Sequence, residues 1–139
     1  MSAEAPDRLE ALRRIPLFHD FSDDALKQVL ERIVPFEVRR GHVLVQPKQP
    51  GEGLFMLEEG TVSVELPGKK IELGPGEFFG ELALLYDGAV HSGRVVATSE
   101  ARCLALRRDD FEQLLESQPA MARALLRVVA RRLATYIGR

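Results

Sequence analysis

The chain has 139 residues, of which 45% are hydrophobic and 29% charged, and its formal net charge is −2. This composition is typical of one soluble globular domain and excludes a disordered chain. No apolar run approaches the roughly 18 residues of a membrane span. The acidic start, residues 1–7, lacks the features of a signal peptide. We therefore expect a cytoplasmic protein with no membrane partner.

Charge is distributed unevenly along the chain. Residues 41–90 carry three lysines and eight acidic residues, a balance of −5, whereas residues 119–139 carry five arginines and no acid, a balance of +5. The overall acidic balance disfavours a free-standing nucleic-acid-binding protein. The acidic middle and the basic end predict two structurally different parts of the chain.

The chain is predicted to begin with two helices. Apolar residues recur at helical spacing from Leu9 to Ile15, and Pro16 then ends the run. Ser22, followed by two aspartates, is a good helix start, because its hydroxyl can cap the backbone and the acids suit the positive end of the helix dipole. We expect this second helix to end near Pro35.

Strands follow, because apolar residues then alternate at period two between glycine- and proline-rich turns. Short strands at such spacing predict a sandwich or jelly-roll barrel. The eight predicted strands lie at 34–39, 43–46, 54–58, 61–66, 69–73, 77–79, 94–98 and 102–107.

The whole chain, 1–139, is predicted to be one domain of the α+β class, mainly β with flanking helices. N-terminal helices occupy 1–33, an eight-stranded jelly-roll β-barrel occupies 34–107, and two C-terminal helices occupy 108–139. The last helix is expected to run from Pro119 to about Ile137.

A glycine-punctuated motif, Gly76–Leu85, reads GEFFGELALL and predicts a strand end that opens into a short helix. Free backbone N–H groups at a helix start favour an anion. Gly80 has no Cβ, so a ligand can approach its backbone closely. The carboxylate of Glu81 only accepts hydrogen bonds and suits a ligand hydroxyl. A phosphate beside a sugar hydroxyl matches this layout.

The same motif resembles the phosphate-binding cassette of cyclic-nucleotide-binding domains, in particular the effector domain of catabolite activator protein-type bacterial regulators. The resemblance extends over most of the chain, with the cassette at 76–94. It implies a non-enzymatic regulatory domain that senses cAMP or cGMP. We expect no cofactor, and no metal, because the sequence has no His-x-His pair and no cysteine cluster. The ligand-binding residues that it implies are Gly80, Glu81, Leu82, Ala83, His91 and Ser92 at the phosphate and ribose, Val64, Ile71 and Leu73 at the base, and Thr135 and Tyr136 on the last helix.

His91 stands where the family has its phosphate-clamping arginine. Arginine is permanently charged and offers a planar fork of donors, whereas histidine is shorter and mostly neutral at pH 7. Losing a charged hydrogen bond costs about 1.5–3 kcal/mol, or roughly ten- to a hundred-fold in affinity. Arg94 is a possible phosphate contact that could compensate, although it lies where the next strand begins. The ligand then binds weakly, differs from the family's, or is absent.

The last helix carries more apolar surface than packing on its own domain requires. Two neighbouring stripes contain Leu126, Val129, Leu133 and Tyr136, and Met121, Leu125 and Val128. In bacterial relatives this helix pairs with its copy, so we expect a homodimer in which the same helix closes over the ligand. A helix packed wholly on its own domain is the alternative.

The sequence is also compatible with two alternatives to nucleotide sensing. The chain could be a ligand-free or weakly binding interaction and dimerisation module. It could also be the effector half of a transcription regulator without its DNA-binding domain, because the family's transcription factors continue into a helix-turn-helix beyond the point where this sequence ends. No nucleic-acid partner is expected within the chain itself.

Overall fold

The computed structural model describes residues 4–80, 91 and 93–136, and for residues 4–7, 135 and 136 it describes the backbone alone. Two compact units are distinguished. One contains Met1–Glu31 and Glu112–Arg139, and the other contains Arg32–Phe111. The first is helical and the second holds the strands.

The strand unit contains two four-stranded antiparallel sheets. One sheet has the order β1-β8-β3-β6 and the other the order β2-β7-β4-β5. Eight strands therefore lie in the described part of the chain, and the predicted mainly β fold with flanking helices is confirmed. Their bounds are Val34–Val38 (β1), Val43–Val45 (β2), Gly53–Glu59 (β3), Val62–Leu66 (β4), Lys69–Leu73 (β5), Phe78–Phe79 (β6), Arg94–Ala97 (β7) and Ala101–Arg107 (β8).

An apolar core fills the strand unit and draws on both sheets. Half-buried apolar side chains pack against this core and include Phe36, Phe55, Val64 and Ile71. Because side chains alternate across a strand, each strand sends every second residue inward. The buried members are Val45, Leu57, Val62, Leu73, Phe79, Val95, Ala101 and Cys103.

The helical unit begins with α1, Glu4–Arg13, followed by a short 3-10 helix, Pro16–Phe18, and α2, Asp23–Arg32. Ser22 caps α2 as the sequence predicts, because its Oγ accepts a 3.1 Å hydrogen bond from the backbone N–H of Ala25. The helix ends at Arg32, slightly before the predicted end near Pro35. Pro35 instead lies within β1, where it pairs with Leu104.

Two helices close the described chain, α3 at Arg108–Ser117 and α4 at Pro119–Tyr136. Met121 and Leu125 of α4 are buried, whereas Leu126 and Leu133 are 69% and 56% exposed. The two predicted apolar stripes of α4 therefore differ, since one has buried residues and the other exposes two leucines. Within the described residues, no helix combines the length and the apolar character that crossing a bilayer requires.

Candidate functional site

Gly80 and His91 lie side by side although ten residues separate them in the sequence. Gly80 follows β6 with a φ of +93°, a left-handed conformation that favours glycine. A Cβ at Gly80 would stand 3.8 Å from Cε1 of His91 and 3.1 Å from the carbonyl oxygen of Gly53. The imidazole of His91 therefore lies beside the backbone of Gly80, which has no Cβ of its own.

The backbone of His91 is anchored to the loop between β2 and β3. The N–H of Lys48 donates to the carbonyl oxygen of His91 at 2.8 Å, and the N–H of His91 donates to the carbonyl oxygen of Gln49 at 2.9 Å. Two hydrogen bonds to neighbouring residues restrain His91 at this point. The position of the His91 backbone is thus set by contacts with residues far from it in the sequence.

Phe55 connects Gly80 and His91 to the apolar core of the strand unit. Its ring lies 3.5 Å from the place where a Gly80 Cβ would stand. The same ring stacks on Phe79, with centroids 5.3 Å apart, and meets Phe36 edge-on at 6.1 Å. Phe55 is half-buried.

The three residues predicted to line a base pocket do come together. Val64 of β4 is the cross-strand partner of Ile71 of β5, and Leu73 pairs with Val62 two residues along. All three pack in or against the apolar core that also contains Phe55 and Phe79. Val64 and Ile71 are half-buried and Leu73 is buried. Their surface suits the faces of an aromatic base rather than a charged group.

Arg94 faces away from that interior. It is the cross-strand partner of Glu65, and its Nε and Nη2 donate to the two carboxylate oxygens of Glu65 at 2.8 and 3.3 Å. Val95, the next residue, is buried in the core, so alternation places Arg94 on the opposite side of the sheet. A ligand inside the barrel would meet Val64 and Val95 rather than Arg94.

The remaining predicted site residues lie outside the described part of the chain. Glu81, Leu82, Ala83 and Ser92 belong to this group, as does the predicted short helix of the cassette. The backbones of Thr135 and Tyr136 belong to α4, and nothing further is described for them. Their proposed roles stay predictions.

Two residues near Gly80 and His91 could not be recognised from the sequence as candidate site residues. Phe55 is one of several apolar residues in β3, and Lys48 is one of three lysines in an acidic region. Only the hydrogen bonds and ring contacts that fold them against Gly80 and His91 mark them out. Among the described residues, no three His, Cys, Asp or Glu side chains come together as metal ligands.

Comparison with known proteins assigns this chain to a family. The family model for the cyclic nucleotide-binding domain matches residues 35–118. A cyclic nucleotide-gated potassium channel of Rhizobium etli is 34% identical over 118 residues, which are 85% of this chain and 33% of the channel. The chain spans about a third of the length of the curated channel relatives that it matches.

Solved structures agree with that match. The catabolite activator protein of Thermus thermophilus superposes with a TM-score of 0.75 at 31% identity, over 87% of this chain and 59% of that one. The regulatory subunit of a cAMP-independent protein kinase A from Trypanosoma brucei gives a TM-score of 0.78 at 25% identity, over 91% of this chain and 47% of that one. With the fold, the family-model match and a bacterial relative in agreement, the chain belongs to the cyclic nucleotide-binding domain family.

Proposed function

We propose that this domain is a non-enzymatic regulatory module that binds a cyclic nucleotide, cAMP or cGMP, inside its β-barrel. The cyclic phosphate would lie at Gly80 and His91, and the base would contact Val64 and Ile71. The ribose hydroxyl would donate to Glu81, and Leu82, Ala83 and Ser92 would complete the phosphate contacts. Ligand binding would shift the population of conformations available to α4, which is the output of the module.

The observation that carries this proposal is the adjacency of Gly80 and His91. A backbone with no Cβ and an imidazole that can carry a positive charge converge beside a half-buried apolar surface. An anion needs close donors and a compensating charge, whereas a base needs apolar area. A cyclic nucleotide combines both requirements in one small molecule.

Calorimetric titration with cAMP and with cGMP tests the proposal directly. We expect saturable binding of at least one of them, with a weaker affinity than an arginine clamp would supply. AMP, which lacks the cyclic phosphate, is the matched ligand control and should bind less tightly. Absence of heat with both cyclic nucleotides at millimolar concentration would overturn the proposed function.

A pair of carboxylate variants tests where the ligand lies. Glu81→Ala removes the proposed acceptor of the ribose hydroxyl and should abolish binding. Glu72→Ala is the matched control, because it removes the same charge from an exposed position on β5 and should bind as the wild type does. Equal affinities for both variants would show that the cassette does not hold the ribose as proposed.

A ligand-free interaction module is the second candidate. Two observations favour it: histidine replaces the expected arginine at position 91, and one structural relative at 25% identity is the regulatory subunit of a cAMP-independent protein kinase A. In that case the barrel would be a scaffold and α4 the interacting surface. Dimerisation in the absence of nucleotide, together with no response to either cyclic nucleotide, would favour this candidate over the first.

A further inference from the structure

Lys48 has an unusual backbone conformation for its residue type. Its φ is +69°, and among the described residues every other positive φ belongs to a glycine. In this left-handed region a Cβ crowds the following carbonyl group, so an L-residue with a long side chain is strained there. Glycine would adopt the same turn without that strain. A strained residue that persists in a loop points to a function for its side chain.

The strained turn lies directly against the proposed anion site. The Lys48 N–H donates to the carbonyl oxygen of His91 at 2.8 Å, and the neighbouring Gln49 accepts the His91 N–H. Lys48 is exposed, so its four-carbon stem is able to turn toward the site. Since the two backbones are in hydrogen-bond contact, the Lys48 side chain starts close to His91.

With His91 in place of arginine, the proposed anion site has less positive charge, and Lys48 can supply it. An imidazole is charged only when protonated, whereas lysine keeps its charge across the physiological range because its ordinary pKa is about 10.4. Arg94, the other candidate cation, is bound to Glu65 on the outer side of the sheet. Among the described residues whose backbone contacts His91, Lys48 is the one that carries a permanent positive charge.

We propose that Lys48 is a phosphate-binding residue, which adds a permanent positive charge to the anion site that Gly80 and His91 form. The proposal rests on the proposed function, because the anion is the cyclic phosphate of the ligand. It explains why a lysine occupies a turn position that suits glycine. The two positive groups, one permanent and one titratable, would together do the work of a single arginine.

The decisive variant is Lys48→Gly, because it removes the charge and relieves the backbone strain at the same time. We expect its melting temperature to rise by a few degrees while its affinity for cAMP or cGMP falls about ten-fold. The salt dependence of binding should also weaken, since one ion contact is lost. A variant that binds less tightly although it folds better cannot owe its loss to misfolding.

Two further variants act as controls. Lys48→Arg keeps the charge and should bind within about three-fold of the wild type. Lys70→Ala removes the same charge from an exposed position on β5 and should leave affinity unchanged. If the wild type binds and Lys48→Gly binds equally well, the Lys48 proposal is wrong while the proposed function stands. If the wild type binds neither cyclic nucleotide, the proposed function fails and this inference with it.

Discussion

Arg94 and Glu65 form a two-pronged ion pair across β7 and β4, on the side of the sheet that faces away from the apolar core. The hydrogen bond from Arg94 lowers the pKa of the Glu65 carboxyl, so the pair is charged at neutral pH. The guanidinium is thereby occupied by a carboxylate of the same sheet. This arrangement separates the structural cation, Arg94, from the cations proposed to bind ligand.

The first prediction concerns that separation. Arg94→Ala should leave cyclic-nucleotide affinity unchanged within about two-fold and should lower stability only slightly, because exposed ion pairs contribute little. Calorimetry and thermal unfolding measure the two effects. His91→Ala is the matched comparison and should weaken binding. A large loss of affinity in Arg94→Ala alone would mean that Arg94 binds the phosphate.

The second prediction concerns His91 and pH. The ordinary pKa of histidine is about 6.5, and a bound anion raises it, so the complex takes up a proton. Affinity should therefore increase as the pH falls from about 8 to about 6. Carboxylate and ammonium groups ordinarily keep their charges between about pH 6 and 8, so histidine is the expected source of a pH dependence in this range.

Replacing His91 by arginine completes that test. His91→Arg should raise affinity about ten-fold or more, because arginine adds a permanent charge and a second donor. It should also flatten the pH dependence. Titrations of both proteins at several pH values measure this. Affinity that is independent of pH in the wild type, with no change in His91→Arg, contradicts the histidine clamp.

The third prediction concerns assembly through α4. Leu126 and Leu133 are seven residues apart and both exposed, which is the spacing at which two helices pack along one seam. We propose that a second copy of the chain covers them in a homodimer. Sedimentation should show a dimer at tens of micromolar concentration. The variant with Leu126→Gln and Leu133→Gln should be monomeric, and a monomeric wild type would remove the claim.

The fourth prediction concerns packing at the start of β7. A Cβ at Gly93 would stand 2.4 Å from the carbonyl oxygen of Glu65, so Gly93→Ala must push β7 away from β4. We expect a loss of stability of about 1–3 kcal/mol in denaturant unfolding, as for overpacked cores. Gly74→Ala is the control, because a Cβ there meets nothing within 4 Å. Equal stabilities of the two variants would contradict this packing.

The fifth prediction concerns Cys103, whose thiol is buried in β8. Burial raises its pKa from the ordinary 9.0 to about 11. The folded protein should therefore resist alkylation by iodoacetamide at about pH 8, since the thiolate is the nucleophile. Denatured protein should react readily.

The raised pKa of Cys103 also makes the stability of the folded protein depend on pH. The folded state holds the thiol proton more tightly than the unfolded chain. The contribution of this thiol to the free energy of unfolding is therefore fully present below the ordinary pKa. It is lost as the pH rises from about 9 to about 11. The Cys103→Ala variant should lack this component in pH-dependent unfolding. Rapid alkylation of the native protein would show that the thiol is accessible.

Local patterns in the sequence determined most of the fold. Period-two alternation and glycine turns predicted the eight strands within one or two residues, because each strand has one side facing an apolar core. Ser22 predicted the start of α2, since capping needs only a side chain and the next turn of backbone. The motif at Gly76–Leu85 likewise indicated the family that the family-model match confirms, because the resemblance is carried by a contiguous run of residues.

Only the tertiary structure decided which cations adjoin the proposed site. Spacing alone could not say on which side of the sheet Arg94 lies, because that depends on strand register, and a shift by one residue reverses a side chain. The register Glu65–Arg94 turned Arg94 outward. Lys48 lies 43 positions before His91, and only the folding of the β2–β3 loop brings their backbones into contact. Long-range hydrogen bonds of this kind leave no periodic trace in a sequence.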